Sequence, residues 1–175
     1  LGRGADLNAT NTYDTTPLHL AAPYGHAAMI RLRLDRGANV NARDEGGATA
    51  LYYSVIQGDL AVSRVLLDCG AEVINDKNKY DMTPLHYAAQ HGHADIVRLL
   101  LEKDGVNVNA KNNEGITPLH LTAQYGNADL VQLLLAHGAD PNDRDKEGNT
   151  ALLKAAKNKR GTEVAAILLR HTASA

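Results

Sequence analysis

The chain has 175 residues, 44% of them hydrophobic, with 18 lysines and arginines against 20 aspartates and glutamates. A formal charge of −2 is no basic footprint, so nucleic acid is not an expected partner. Trp and Phe are absent, which leaves Leu and Ala to fill the interior and fits thin layers of close-packed helices better than a wide globular core. No apolar run approaches the roughly 18–20 residues of a membrane span, so no membrane contact is expected. Cys69 is the only cysteine and permits no internal disulfide; a reducing, intracellular compartment, cytoplasmic or nuclear, is the expectation.

Read from its first residue, Leu1-Gly2-Arg3-Gly4-Ala5-Asp6-Leu7-Asn8-Ala9 has the pattern of the end of a unit whose beginning is missing. Thr16-Pro17-Leu18-His19-Leu20-Ala21-Ala22 then opens a motif that returns at Thr83 and Thr117, and in degenerate form at Thr49 and Thr150. The steps between these threonines are 33, 34, 34 and 33 residues. A period in this range marks a stacked-repeat architecture rather than one globular core. The units are read as 11–43, 44–77, 78–111, 112–144 and 145–175, after a partial unit at 1–10, all in one domain.

The unit from Asn78 to Lys111 shows the physical logic. The Thr83 hydroxyl can accept from an unpaired N–H of the first helical turn, and Pro84 at the first helical position loses no hydrogen bond. A short helix is predicted to about Gln90, stopped by Gly92 in the left-handed region. His93-Ala94-Asp95 leads into a second helix with an apolar stripe at Ile96, Val97, Leu99, Leu100 and Leu101, ended by Gly105. Val106 to Ala110 is predicted to run extended. Helices this short are marginal alone in water, so each unit needs a neighbour, and stability approximates a sum of unit and nearest-neighbour terms.

These residues resemble the ankyrin repeat family: the Thr-Pro-Leu-His start, the Gly-His break, the Leu-Leu-Leu helix and the Gly-Ala-Asp-x-Asn exit recur together along essentially the whole chain. The resemblance implies an all-α repeat solenoid of stacked helix-turn-helix units. It also implies β-hairpin fingers projecting at about a right angle to the helices, and partner proteins docking on the finger tips and first-helix face. Asp104 and one residue near Val73-Ile74 read as single insertions in loops. Pro23 falls late in a first helix and is expected to shorten or kink it. Arg33 stands where other units have Leu66, Leu100 and Leu134, so its stem either snorkels or lies in a loosely packed helix. Asp14 and Asp81 replace the usual finger glycine. The amino-terminal third is therefore expected to be the softest part.

Tyr13 and Tyr80 share a finger position, and Tyr24, His91 and Tyr125 share a position near the end of the first helix. Met82 and Ile116 are read as exposed apolar finger residues. Together these seven are the candidate partner-binding residues, because tyrosine gives large amphipathic contact area at modest entropic cost. The bland alternative is that they cover the base of each finger. His19, His86 and His120 recur once per unit, which separates them too far for a shared metal; their expected role is a local bond to a neighbouring loop or to the helix-start threonine. His91 and His93 lack the further ligands of a tetrahedral site. Cys69 aligns with Arg36 and His137 and is read as an incidental thiol. No metal, no cofactor and no catalytic residue is assigned, and a monomer is expected.

The acidic run Asp140, Asp143, Asp145 and Glu147, and the basic run Lys154, Lys157, Lys159 and Arg160, are read as solvated charge on an end unit. Asn8, Asn41, Asn109 and Asn142 precede the fingers and are expected to tie one finger to the next, although in the family such asparagines sometimes serve as hydroxylase substrates. The function expected is non-enzymatic, reversible protein binding. A regulatory segment of a larger protein, such as an enzyme or effector, and an engineered binder are the other readings; the unevenness at Pro23, Arg33 and Ile74 speaks against an idealised design.

Overall fold

The computed structural model describes residues 6–71, 75–158 and 161–172. The residue near Val73-Ile74 read as an insertion, and Lys159 and Arg160, lie outside them. Ten α-helices form among the described residues: α1 Pro17–Ala21, α2 Ala27–Asp35, α3 Ala50–Gln57, α4 Leu60–Asp68, α5 Pro84–His91, α6 Ala94–Leu101, α7 Pro118–Tyr125, α8 Ala128–Ala136, α9 Ala151–Ala156 and α10 Thr162–Thr172. The odd-numbered helices pack on one another in sequence, and so do the even-numbered ones. The result is two parallel helix layers built from five consecutive pairs.

One apolar ribbon runs between the layers. Leu18, Leu51, Leu85 and Leu119 fill it from the first helices, and Ile30, Leu66, Leu100, Leu134 and Leu168 from the second. The predicted stripe of α6 is buried at all five positions. Side chains of this size stabilise by roughly 1.5–3 kcal/mol each when taken from water, and here each is buried against a neighbouring pair as well as its own.

Thr16, Thr83 and Thr117 each head a capping box with the histidine three residues on. Gly92 stops α5 in the left-handed region as expected. Helix α6 ends at Leu101, not at Gly105: Glu102 caps it, and Asp104 extends the loop before the chain turns again at Asn107–Ala110. The segment from Val106 is thus bent rather than extended. Pro23 cuts α1 to five residues and turns the next three, Ala22–Tyr24, into a 3-10 helix.

No strand forms among the described residues, and each finger is a tight hairpin turn. In the first, Asp14 N–H donates to the Asn11 carbonyl and Asn11 N–H donates to the Thr15 carbonyl. The same pair of bonds recurs from Asp44, Asn78, Asn112 and Asp145. The fourth residue of each turn needs positive φ, as in a type I turn closed by a left-handed residue. Gly47, Gly115 and Gly148 supply it at three fingers, and Asp14 and Asp81, at φ 56° and 59°, at the other two. Successive fingers are stitched tip to tip: Glu45 N–H to the Tyr13 carbonyl, Lys79 to Gly46, Asn113 to Tyr80 and Lys146 to Glu114, at 2.9–3.2 Å.

Candidate functional site: the finger and first-helix face

The recurring histidine fixes how one finger sits on the previous helix. The Thr83 backbone N–H lies 3.1 Å from His86 Nδ1, and Ile116 O lies 3.0 Å from His86 Nε2. An N–H can only donate and a carbonyl can only accept, so Nδ1 is the acceptor and Nε2 carries the proton. The Thr83 hydroxyl adds a second bond to Nδ1 at 2.8 Å. His19 repeats the pattern onto Ala48 O, and His120 onto Asn149 O. Both ring nitrogens of all three histidines are occupied by these local bonds, which is the local role expected for them. Burial pushes the His86 imidazolium form out of reach, lowering its pKa from 6.5 to about 4; the carbonyl of Ile116 opposes this in part. His120 is lowered for the same reason.

Tyr52 occupies the histidine position of the second pair and keeps half of the arrangement. Its phenol donates to the Met82 carbonyl at 2.7 Å, the same finger carbonyl that the histidines reach in other pairs, and also approaches the Asp76 carbonyl. It has no atom to return to the cap. Thr49 Oγ1 is accordingly buried with no hydrogen-bond partner.

The candidate residues fall into two rows. Tyr13 and Tyr80 stand on the first and third fingers, 63% and 53% exposed. Tyr24 and Tyr125, 74% and 52% exposed, close the 3-10 helix and α7, and exposed His91 closes α5. An eight-residue first helix separates the rows by about 12 Å. Between them lies a small apolar floor of Met82, Ala89 and Leu121, flanked by Tyr87 and Ile116. Met82 is therefore not the exposed finger residue expected: it is 8% exposed, because the third finger folds its side chain over Ala89 and Leu121, with Asn112 Nδ2 3.3 Å from its sulfur. Ile116 is half-buried beside it, also not fully exposed.

Two features of this face were missed in the sequence. The first is the Asn or Asp that opens every finger. Asn11, Asn78, Asn112 and Asp145 each accept two backbone N–H bonds from inside their own turn, and Asp44 accepts one. The recurrence at positions 11, 44, 78, 112 and 145 was there to be read. The second is what answers that residue from the first helix: Tyr53 OH donates to Asp44 at 2.5 Å, Asn78 donates to Tyr87 OH at 2.8 Å, and Lys154 pairs with Asp145 at 2.7 Å. Tyr87 also meets Tyr52 edge-on and stacks on His91, which stacks on His93.

Three of the four exit asparagines bind one pair to the next, at the turn that follows the second helix rather than from finger to finger as expected. Asn8, Asn41 and Asn109 donate to the carbonyls of Gly37, Gly70 and Gly138, and Asn8 and Asn109 also accept from the N–H of Asn39 and Asp140. Asn75 joins the series with Gly105 and Asn107. Cys69 is a half-buried thiol at the end of α4, matched by Arg36 and His137 at the ends of α2 and α8.

A hollow of about 260 Å³ between the last two fingers is lined by Glu114, Ile116, Asp145, Lys146, Glu147 and Lys154. Burial alone would raise the Asp145 pKa, but the bonds from Lys154 and Asn149 outweigh it and hold the carboxyl well below its ordinary range. Its lone pairs are thus committed to the fold. No group of three or more potential metal ligands occurs among the described residues, and no helix there is long and apolar enough to cross a membrane.

The repeat geometry defines the class, and the comparisons agree with it. A family model for ankyrin repeats (3 copies) matches residues 1–77 and 47–112, and one for ankyrin repeats (many copies) matches residues 100–155. The chain belongs to the ankyrin repeat family, whose members are generally protein–protein interaction modules. No curated protein matches it.

Proposed function

We propose that the finger and first-helix face binds a partner protein reversibly and without catalysis, with Tyr13, Tyr24, Tyr80, His91 and Tyr125 making contact and Met82 and Ile116 forming the floor between them. The observation that carries this reading is the exposure of four tyrosines at recurrent positions, two on fingers and two at the ends of first-layer helices. A tyrosine left more than half exposed keeps its ring in water, and covering it with a partner releases the hydrophobic gain that folding did not take. A typical specific interface buries about 1,200–2,000 Å² in total, within reach of a face spanning five fingers. The near-neutral charge supports a protein partner over nucleic acid. A monomer acting in a reducing intracellular compartment is part of the same reading, which the single cysteine supports.

The test is a pull-down from the native source with the chain and with its Tyr13, Tyr24, Tyr80 and Tyr125 alanine variant. Partners captured by the first and lost by the second are expected. If the folded variant retains every partner, this face is not the binding surface, although the ankyrin fold stands.

A further inference from the structure

The finger and first-helix face has a charge of its own. The five finger turns, 11–15, 44–48, 78–82, 112–116 and 145–149, hold seven carboxylates against Lys79 and Lys146, in a chain whose formal charge is only −2. Lys154, the only Lys or Arg of the first-layer helices α1, α3, α5, α7 and α9, is paired with Asp145. Each finger keeps one carboxylate in solvent. Asp14, Glu45, Asp81, Glu114 and Glu147 are all exposed, and none has an ion-pair partner among the described residues. The exposed arginines Arg31, Arg64 and Arg98 lie in α2, α4 and α6, the other layer.

The exposed tyrosines stand beside this charge. Tyr13 and Tyr80 directly precede Asp14 and Asp81 on the first and third fingers. Those two aspartates hold φ 56° and 59° where the other fingers use glycine, and no hydrogen bond among the described residues uses either carboxylate. Asp is strained there relative to Gly, so the fold has no use for it that Gly would not serve better. Lys79 Nζ stands over the Tyr80 ring, 5.3 Å from its centroid, and not on Asp81. The ring face is thus open to a cation and already holds one. In the second row, Tyr125 lines a hollow of about 360 Å³ with Asp129 and Glu163, and Asp59 Oδ2 lies against Gly25, next to Tyr24.

We propose that this face takes a basic segment of its partner protein in extended conformation, with arginine side chains on the Tyr13–Asp14 and Tyr80–Asp81 pairs. This commits the protein-binding reading above, on which it rests, to one partner chemistry. A guanidinium meets both features at once: its plane stacks on an aromatic ring while its N–H fork donates to a carboxylate. Neighbouring helix pairs pack about 8–10 Å apart, and an extended chain rises about 3.3 Å per residue. A cation at every third residue therefore meets one finger carboxylate after another. The two Tyr-Asp pairs, two fingers apart, take arginines about six residues apart. Nucleic acid and anionic lipid headgroups are repelled by the same carboxylates.

The test titrates the peptide (Arg-Ser-Gly)4-Arg, about 40 Å long when extended, into the isotope-labelled chain and follows the backbone amides by NMR. Shifts are expected at the finger turns, with affinity falling about tenfold between about 50 mM and about 300 mM salt. Asp14→Gly with Asp81→Gly, the residue the other fingers use, is expected to keep or raise the melting temperature and to weaken the peptide by about fivefold or more. Tyr80→Leu keeps apolar bulk without the aromatic face and is expected to weaken it as well, whereas Lys79→Ala removes a competing cation and is expected to tighten it by about threefold. Wild-type affinity in the glycine variant, equal shifts from (Glu-Ser-Gly)4-Glu, equal affinity for an isomer with its arginines contiguous, or no shifts at the fingers overturns the proposal. Native partners lost by the tyrosine variant of the pull-down, together with no response to the arginine peptide, overturn the basic segment and leave the protein-binding reading standing. Failure of that reading shows instead as partners retained by the tyrosine variant, and it takes the basic segment down with it.

Discussion

The His86 lock makes the stability of this protein pH-dependent in a defined direction. The unfolded histidine titrates at 6.5, whereas the folded one is pushed down to about 4 by burial. Between those values the unfolded chain binds the proton and the folded chain does not, so stability rises with pH. The contribution is complete above about pH 6.5 and is lost as the pH falls toward 4. With 1.36 kcal/mol per pKa unit, the loss is about 2 kcal/mol at pH 5 and about 3 kcal/mol at pH 4. The geometry gives the reason: a proton on Nδ1 would face the Thr83 N–H at 3.1 Å, turning an acceptor into a second donor. His86→Tyr isolates the effect, since Tyr52 already shows a phenol reaching the equivalent carbonyl without titrating in this range. Urea unfolding of both proteins at pH 7, 5.5 and 4.5 measures it. The wild type is expected to lose stability faster than the variant, by about 2 kcal/mol over this interval. Parallel pH profiles, or an NMR titration placing His86 near 6.5, would refute the reasoning.

Four further outcomes follow from the packing. Lys154→Met leaves Asp145, a carboxylate with 3% side-chain exposure, without its ion-pair partner, and is expected to cost about 3 kcal/mol at neutral pH in chemical denaturation; a loss below about 0.5 kcal/mol would mean the pair is solvated. Gly161→Ala puts a Cβ 1.9 Å from the Ala155 carbonyl oxygen, a backbone atom, so α9 and α10 must separate; a fall in melting temperature of several degrees is expected, and an unchanged one speaks against this close approach. Pro23→Gln, the residue that α5 and α7 carry at this position as Gln90 and Gln124, is expected to turn the 3-10 helix into α-helix and gain about 1 kcal/mol. Before that change, exchange should be fastest in α1 and α2 among the helices; finding them the best protected contradicts the account of a soft amino-terminal third.

The sequence by itself determined the architecture. Thr-Pro starts, left-handed stops and leucine spacing are local signals whose physics acts within a few residues; three Thr-Pro starts and four left-handed glycine stops, repeated at a near-constant period, set the helix pairs and their order. The same signals foretold the broken α1 at Pro23 and a tying role for Asn8, Asn41 and Asn109, though not that they tie at the turns after the second helices. Only the tertiary structure decided how far each side chain is covered, because burial depends on what the neighbouring pair places opposite it. Met82 shows this: its finger position predicted exposure, yet Ala89 and Leu121 beneath it make folding inward the better burial. Tyr52 shows it too, since its use of the finger carbonyl, and the unmet Thr49 hydroxyl that results, arise between residues some 30 positions apart. Met29 and Leu32 show it again: both are apolar, yet α2 leaves them 46% and 39% exposed.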